Sequence, residues 1–523
     1  MNRSLFLLLA VLTGCGGYAN RSQAFRHALD AGSPDAALER VNRELGVERA
    51  EGLPASTEEE TPLLLLERAT ILQSMGRYDL SARDFQRADK ALDILDLTGD
   101  TAGEISRYLF SDDATLYKSP PHEKLLLNTL NMINYLVRGD SSGAKVEARR
   151  FTINRRYLDD QGRDEDDEDP SFLAIGSFLS GVAFEMAGEW DIAMRHYADA
   201  FEIGGIPTLE PTLRRLWTQR SARDPRVATL MADSVAGETP SGSDAQGPQA
   251  STMSATPHTT AEASESTPIP ATALNDTSTQ IAAAAGETTP KPASSATRHP
   301  VETTLPSPAQ PAGHGTLLVV TQTGMAPHKV PRRIPLANAI IIASQPGYGA
   351  RLSAAERRRA QGIAAEGLVK WVNYPDLTPA HDAHGPVTVA IDGTVVPGGL
   401  GLDVGLRVSQ QFARGRGAIL AAAITRLITR AVVGNVARKV GSGSQRDSAA
   451  GFLLGLAIEG AMTASDTPDT RSWVTLPARI HVARSRVPVG PHQVIVRFRG
   501  QTRTQKIEIE RDGFVVLNFS DLR

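Results

Sequence analysis

The chain's one cysteine, Cys15, carries its only thiol, the softest nucleophile among the side chains, and it closely follows a short apolar run, Leu5-Phe6-Leu7-Leu8-Leu9-Ala10-Val11-Leu12. A lone thiol excludes an intramolecular disulfide and any zinc site built on several thiolates. Gly139-Asp140-Ser141-Ser142-Gly143 matches the Gly-x-Ser-x-Gly pattern of a serine nucleophile. That chemistry needs a buried strand before the serine, whereas residues 124–138 read as helix, so the hydrolase reading is set aside. The acidic run Asp164-Glu165-Asp166-Asp167-Glu168-Asp169 lacks the spaced oxygens and central Gly of a calcium loop and reads as a solvated loop. His381 and His384 could ligate a metal, but they lie between Pro379 and Pro386 with no third ligand nearby. Gly441-Ser442-Gly443-Ser444 lacks the Lys of a phosphate loop. Glu147, Arg149 and Arg150 remain as a binding cluster; the plainer and favoured reading is a helix whose charges tie its neighbours together. No catalytic, cofactor-binding or metal-binding residue is assigned.

The elements around these residues say more than the residues themselves. Arg3, the apolar run and the small residues after it form a secretory signal, too short to span a membrane. Leu12-Thr13-Gly14-Cys15 resembles the lipobox of bacterial lipoproteins. The resemblance implies cleavage before Cys15, acylation of its thiol and of the new amino group, and stable anchoring by two or more acyl chains. Gly16, standing where an Asp would retain a lipoprotein in the inner membrane, implies the outer membrane, with the protein facing the periplasm.

Residues 1–14 are thus expected to be a leader, 15–231 a helical module, 232–312 a linker and 313–523 a second module. In the linker 57 of 81 residues are Ala, Thr, Ser, Pro or Gly, with no Phe, Trp or Tyr, so it has nothing to bury and is expected to be disordered. The near-neutral total of −4 hides a split: residues 16–231 carry 26 Lys and Arg against 37 Asp and Glu, and residues 313–523 carry 26 against 14. The modules therefore attract each other or face different partners. An overall net charge of −4 argues against a nucleic-acid partner.

Gly32, Gly76, Gly139 and Gly188 each separate two helical patterns. Around Gly188 stand Gly181 and Phe184 before, and Trp190, Ala193, Tyr197 and Ala200 after; Gly76 has Ala69 and Leu72, then Tyr78, Ser81, Phe85 and Ala88 at the same offsets. Small residues let antiparallel helices approach, aromatics fill the gap and Gly permits the turn. This resembles the tetratricopeptide repeat, though the glycines are spaced more widely than its period of about 34 residues. Extra loops or helices are expected near residues 48–60, 96–120 and 155–170. Tyr117-Lys118-Ser119-Pro120-Pro121-His122-Glu123-Lys124, Asn131 to Asp140, Val146-Glu147-Ala148-Arg149-Arg150 and Asp469-Thr470-Arg471-Ser472-Trp473-Val474-Thr475-Leu476-Pro477 together resemble an uncharacterised family of bacterial lipoproteins with tetratricopeptide-like repeats. The family carries no established activity.

The second module reads as α+β, with an antiparallel sheet or sandwich. Gly315 to Thr321 reads as a buried strand. Residues 479–485, 493–499, 503–510 and 513–519 alternate apolar and polar, and Asp512-Gly513 signals a hairpin, so an antiparallel meander forming one layer of a sandwich is expected. Residues 408–464 read as a helical insert, whose two parts, 408–440 and 447–464, form a hairpin covering the sheet or, less favoured, a membrane-surface element.

The combined expectation is a lipid-anchored, non-enzymatic scaffold for an envelope protein bound through the repeats, with the basic second module available to an anionic surface. The alternatives are an envelope enzyme and a structural subunit of an outer-membrane or peptidoglycan assembly. Mass spectrometry should find the mature chain starting at an acylated Cys15, and Cys15→Ala should leave uncut or lipid-free protein; an unacylated wild-type chain cut elsewhere would contradict the anchor.

Overall fold

The computed structural model describes residues 17–96, 117, 119–160, 171–204, 206–231, 313–345, 352–365, 369–380, 385–441 and 468–523. Cys15 with Leu12, Thr13 and Gly14, the 232–312 segment, the acidic run, His381 with His384 and residues 447–464 lie outside the described residues.

The first part is all-α. Its helices are α1 (Tyr18–Asp30), α2 (Pro34–Glu44), α3 (Thr61–Ser74), α4 (Tyr78–Asp96), α5 (Pro121–Val137), α6 (Ser141–Asp160), α7 (Ser171–Met186), α8 (Trp190–Gly204) and α9 (Glu210–Gln219). Gly32, Gly76, Gly139 and Gly188 sit at the turns of four successive helical hairpins, with φ of +72°, +75°, +71° and +75°. At each turn the next residue's N–H reaches back five residues to a carbonyl: Ser33 to Ala28, Arg77 to Leu72, Asp140 to Tyr135 and Glu189 to Phe184, all at 2.8–2.9 Å. This helix-ending bond pattern requires the left-handed conformation that Gly adopts without strain. Close helix approach depends on glycine elsewhere too. A Cβ on Gly181 would run into the Tyr197 ring, one on Gly143 into Tyr135 and one on Gly176 into Phe151. The expected extra structure at 48–60 is non-helical loop, and the helical residues near 96 and 155 are the ends of α4 and α6.

The second part contains two four-stranded sheets and a two-stranded ribbon. The first sheet has the order β10-β1-β7-β6, from β1 (His314–Met325), β6 (Leu400–Asp403), β7 (Pro477–Pro488) and β10 (Phe514–Asp521). The second has the order β5-β4-β8-β9, from β4 (Thr388–Ile391), β5 (Thr394–Val395), β8 (Gly490–Phe498) and β9 (Gln501–Ile509). Strand β1 explains the layering. Leu318 and Val320 join the core of the helices, while Leu317 and Val319 join the core between the two sheets. A strand buried on both faces reads as a continuous apolar run, which is what Leu317-Leu318-Val319-Val320 is. The same division holds in β7, where Ile480 and Val482 face the helices and Ala483 and Val487 the second sheet. Helices, mixed sheet and antiparallel sheet thus stack as three layers.

The last strands do not form the expected meander. β8 and β9 pair antiparallel, but β10 leaves β9 and runs parallel to β1, with Leu318 opposite Val516. Asp512, at φ 54°, still makes a turn. β10 carries apolar residues on both faces: Phe514 and Val516 pack toward the helices, and Val515, Leu517 and Phe519 between the sheets. Only the central sheet buries both.

The first part of the expected insert, 408–440, lies within one long helix. Helix α12 (Val404–Gly441) packs with α10 (Leu336–Ala343), α11 (Ala354–Ala365) and the ribbon of β2 (Lys329–Pro335) and β3 (Trp371–Leu377) around a core of its own that includes Leu336, Val372, Tyr374, Leu420 and Ile424. The hairpin expected with residues 447–464 falls on residues outside those described. Among the described residues no helix is long and apolar enough to cross a membrane.

The described residues before 232 and after 312 belong to one compact unit. Cleavage within residues 232–312 should therefore leave two products that co-elute and unfold in one transition. Separation without denaturant would contradict the shared core.

Candidate functional site

Helix α3 is buried all round from Pro62 to Gln73, although Glu67, Arg68, Thr70 and Gln73 interrupt its apolar sequence. Buried charge demands partners. Arg68 finds them locally, donating from Nε (2.6 Å) and Nη2 (3.1 Å) to both oxygens of Asp84, and from Nη1 to Asn42 Oδ1 at 3.2 Å, which joins α2, α3 and α4. Glu67 finds its partners at the two ends of the chain. Tyr18 Oη donates to its Oε1 at 2.7 Å; the backbone N–H groups of Val474 and Thr475 donate to Oε1 and Oε2, both at 2.8 Å.

The segment from Asp469 to Pro477 thus lies in the cradle that the helices form. Trp473 is buried, edge-on to Phe85 with ring centroids 5.8 Å apart, and its Nε1 donates to Thr70 Oγ1 at 3.1 Å. Its backbone N–H donates to Glu123 Oε1 at 3.2 Å, and Tyr117 Oη donates to the other oxygen of Glu123. Asp469 takes two bonds from the Arg471 side chain and one from its backbone N–H, which sets the turn that delivers Trp473. Thr470 Oγ1 accepts from the N–H of Ala19 at 3.1 Å. Further along, Arg484 reaches from β7 into the helices, donating to both oxygens of Glu185 (2.8 and 2.9 Å) and to Tyr197 Oη (2.6 Å). Arg215 pairs with the same carboxylate. Gln322 of β1 donates to Gln73 Oε1 at 2.9 Å.

The environments of these acids differ. Burial pushes the Glu67 carboxyl up to about 7, against the pull of its hydrogen-bond donors, and raises Glu123 in the same way. Burial also works upward on Glu185, but Arg484 and Arg215 hold it below its usual value. A carboxyl near 7 has the value of a general base. At Glu67, however, both oxygens are already occupied by the chain's own donors and the side chain has no exposed surface. The chemistry of this arrangement is to hold a backbone segment.

The expected cluster on α6 is divided by the helix. Glu147 points inward, where Asn128 and Asn131 of α5 donate to its two oxygens at 3.0 and 2.9 Å, and burial pushes it up to about 7. Arg150 pairs with Asp89 of α4. Arg149 is exposed and lies over the Phe184 ring, 5.7 Å from its centroid. The plainer reading fits this geometry: two of the three charges tie α4, α5 and α6 together. Gly139 and Asp140 lie in the turn between α5 and α6 and Ser141 to Gly143 open α6, with no strand before them. Among the described residues no three His, Cys, Asp or Glu side chains gather as metal ligands.

Glu67, Glu123, Glu185 and Arg484 were not expected as a group. Two signals mark them. Glu67 interrupts a continuous apolar helix, and Arg484 has the same strand parity as Ile480 and Val482, which face the core. No family model, no curated protein and no solved structure matches this chain.

Trp473→Ala should cost about 3–5 kcal/mol in denaturant unfolding, the usual range for a buried Trp; a loss below about 1 kcal/mol would mean the segment is not part of the core. The Glu67 carboxyl is held protonated up to about 7 in the fold but ionises near its ordinary value of 4.5 when unfolded. Its contribution to stability is therefore full below pH 4.5 and lost as pH rises toward about 7. His122 and His196, lowered by burial to about 4, and His328, lowered to about 3, act in the opposite sense up to their ordinary value of 6.5. The difference between wild type and Glu67→Gln isolates the carboxyl. The variant's deficit should shrink as pH rises from 4.5 to 7, and a deficit that does not change with pH would contradict the assignment.

Proposed function

We propose that this chain is a lipid-anchored protein of the bacterial cell envelope, held at the outer membrane by acyl chains on Cys15 and facing the periplasm. In this reading it is a non-enzymatic scaffold for another envelope protein, built on tetratricopeptide-like hairpins. The observation that carries the reading is the recurrence of one helical hairpin, two helices joined directly across a left-handed Gly, at Gly32, Gly76, Gly139 and Gly188. Stacked helical pairs of this kind present surface for binding. The family resemblance draws support from the contact between two of its stretches, since the carboxyl of Glu123 accepts from the N–H of Trp473.

The cradle of the array is filled by the chain's own segment around Trp473, which leaves the outer helical surface for a partner. Val146, Arg149, Ile153 and Tyr157 recur at helical spacing on the exposed side of α6, with Ile153 at 64% of full exposure. Apolar residues exposed in a row beside Arg are the composition of protein interfaces. A photo-crosslinker at position 153 in intact cells should capture one defined envelope protein, and Val146→Asp with Tyr157→Asp should abolish the capture. Crosslinking that is diffuse, or indifferent to those substitutions, would contradict a docking role for α6.

A further inference from the structure

The charge of the second module is not spread over it. Residues 329–377 and 404–441, which form the insert, carry 15 Lys and Arg against 3 Asp and Glu, whereas the rest of residues 313–523 carries 11 of each. The whole positive excess therefore belongs to one small subdomain. Arg332, Arg333, Arg357, Arg358, Arg359 and Lys370 are all exposed. The insert also exposes Trp371 and Ile341, at 49% and 61%. The register of the ribbon places Trp371 opposite Pro335 and Asn373 opposite Arg333, so Trp371 and Arg333 share the ribbon face turned away from the core formed by Val372 and Tyr374. Lys370 directly precedes Trp371.

The start of α1 lies beside the root of this ribbon. Ala19 N–H bonds Thr470, Lys329 N–H bonds Ser472 two residues further on, and Arg26 Nη1 lies 2.7 Å from His328 Nε2. Two residues span at most about 7 Å, so acyl chains on Cys15 would leave almost no slack before Gly17. The ribbon rises about 20 Å from Lys329 to Pro335. Its tip is thus held within a few nanometres of the bilayer that receives the anchor.

We propose that the ribbon face carrying Arg333 and Trp371, with the exposed Lys370 at its end, docks on an anionic phospholipid bilayer. Arg and Lys meet the phosphates, and the half-exposed indole enters the headgroup layer that Trp favours. Each basic residue near an anionic surface contributes about fivefold to partitioning. The inference deepens the envelope reading by naming the surface that faces the membrane, but its test does not depend on acylation.

Every described residue lies at or after Gly17, so an unlipidated chain beginning at Gly16 keeps the described fold. It should sediment with vesicles of phosphatidylcholine mixed with phosphatidylglycerol, but not with phosphatidylcholine alone. Binding should fade as salt shortens the screening length from about 10 Å at 0.1 M to about 3 Å at 1 M. The fluorescence of Trp371 should shift to the blue on binding, and Trp371→Phe should remove that shift. Arg333→Glu with Lys370→Glu should weaken binding by at least about 25-fold. Arg503→Glu with Lys506→Glu, on exposed β9, changes net charge equally and should leave binding within a fewfold of wild type, with both variants checked for wild-type melting. Equal losses in the two double variants would overturn the proposal in favour of unlocalised charge. Equal binding to both kinds of vesicle, or none to either, would also overturn it, whether or not Cys15 is acylated in cells.

Discussion

A carboxyl group in the middle of an apolar helix is tolerable only where hydrogen-bond partners come to it, and much of this structure is arranged around that condition at Glu67. Its donors are Tyr18, at the start of the first described helix, and the N–H groups of Val474 and Thr475, some four hundred positions later. Leaving a buried carboxyl without partners costs several kcal/mol. The helices and the late segment therefore complete each other: Glu67 keeps only Tyr18 without residues 474 and 475, and the N–H groups of those two residues lose their acceptor without α3. Glu123 repeats the device at Trp473, and Glu185 repeats it with a side chain, Arg484, in place of the backbone.

The same interdependence governs the central sheet. β1, β7 and β10 have two apolar faces and need a layer on each side. The helices cover one and the second sheet covers the other. The split between an acidic helical array and a basic second module is therefore not a split between independent bodies. Where the two meet, Glu67 and Glu123 take backbone N–H groups and Glu185 pairs with Arg484, while the module's net positive charge belongs to the insert.

What could be read in advance follows from the range of each interaction. The four hairpin turns were legible because a left-handed turn places Gly at one fixed position between two helical patterns. Strands β7 to β10 were legible by alternation, and β1 by its unbroken apolar run, whereas the short strands β2 to β6 were not read as strands. Which strand β10 joins was not legible. Asp512-Gly513 specifies a turn but not the pairing that follows it, and the two apolar faces of β10 were the overlooked signal. The Glu147, Arg149 and Arg150 helix was legible as a helix, and its periodicity already divides inward Glu147 from outward Arg149. The cradle around Trp473 was not, because contacts between positions so far apart leave no local pattern. A charge within an apolar stretch, such as Glu67 in α3 or Arg484 in β7, was the trace they left. The insert was legible as helix, but its partners α10 and α11 were not distinguished from loops.

The central claim is that the first helices and the segment around Trp473 form one cooperative body locked at Glu67. Native-state amide hydrogen exchange at Val474 and Thr475 tests it most directly, because those two N–H groups are the donors in question. If the lock holds, both amides exchange only through global unfolding, with the same free energy as the slowest amides of α3. Exchange of Val474 and Thr475 through a local opening several kcal/mol below that of α3 would show the segment leaving its cradle while the helices stay folded, and would contradict the account.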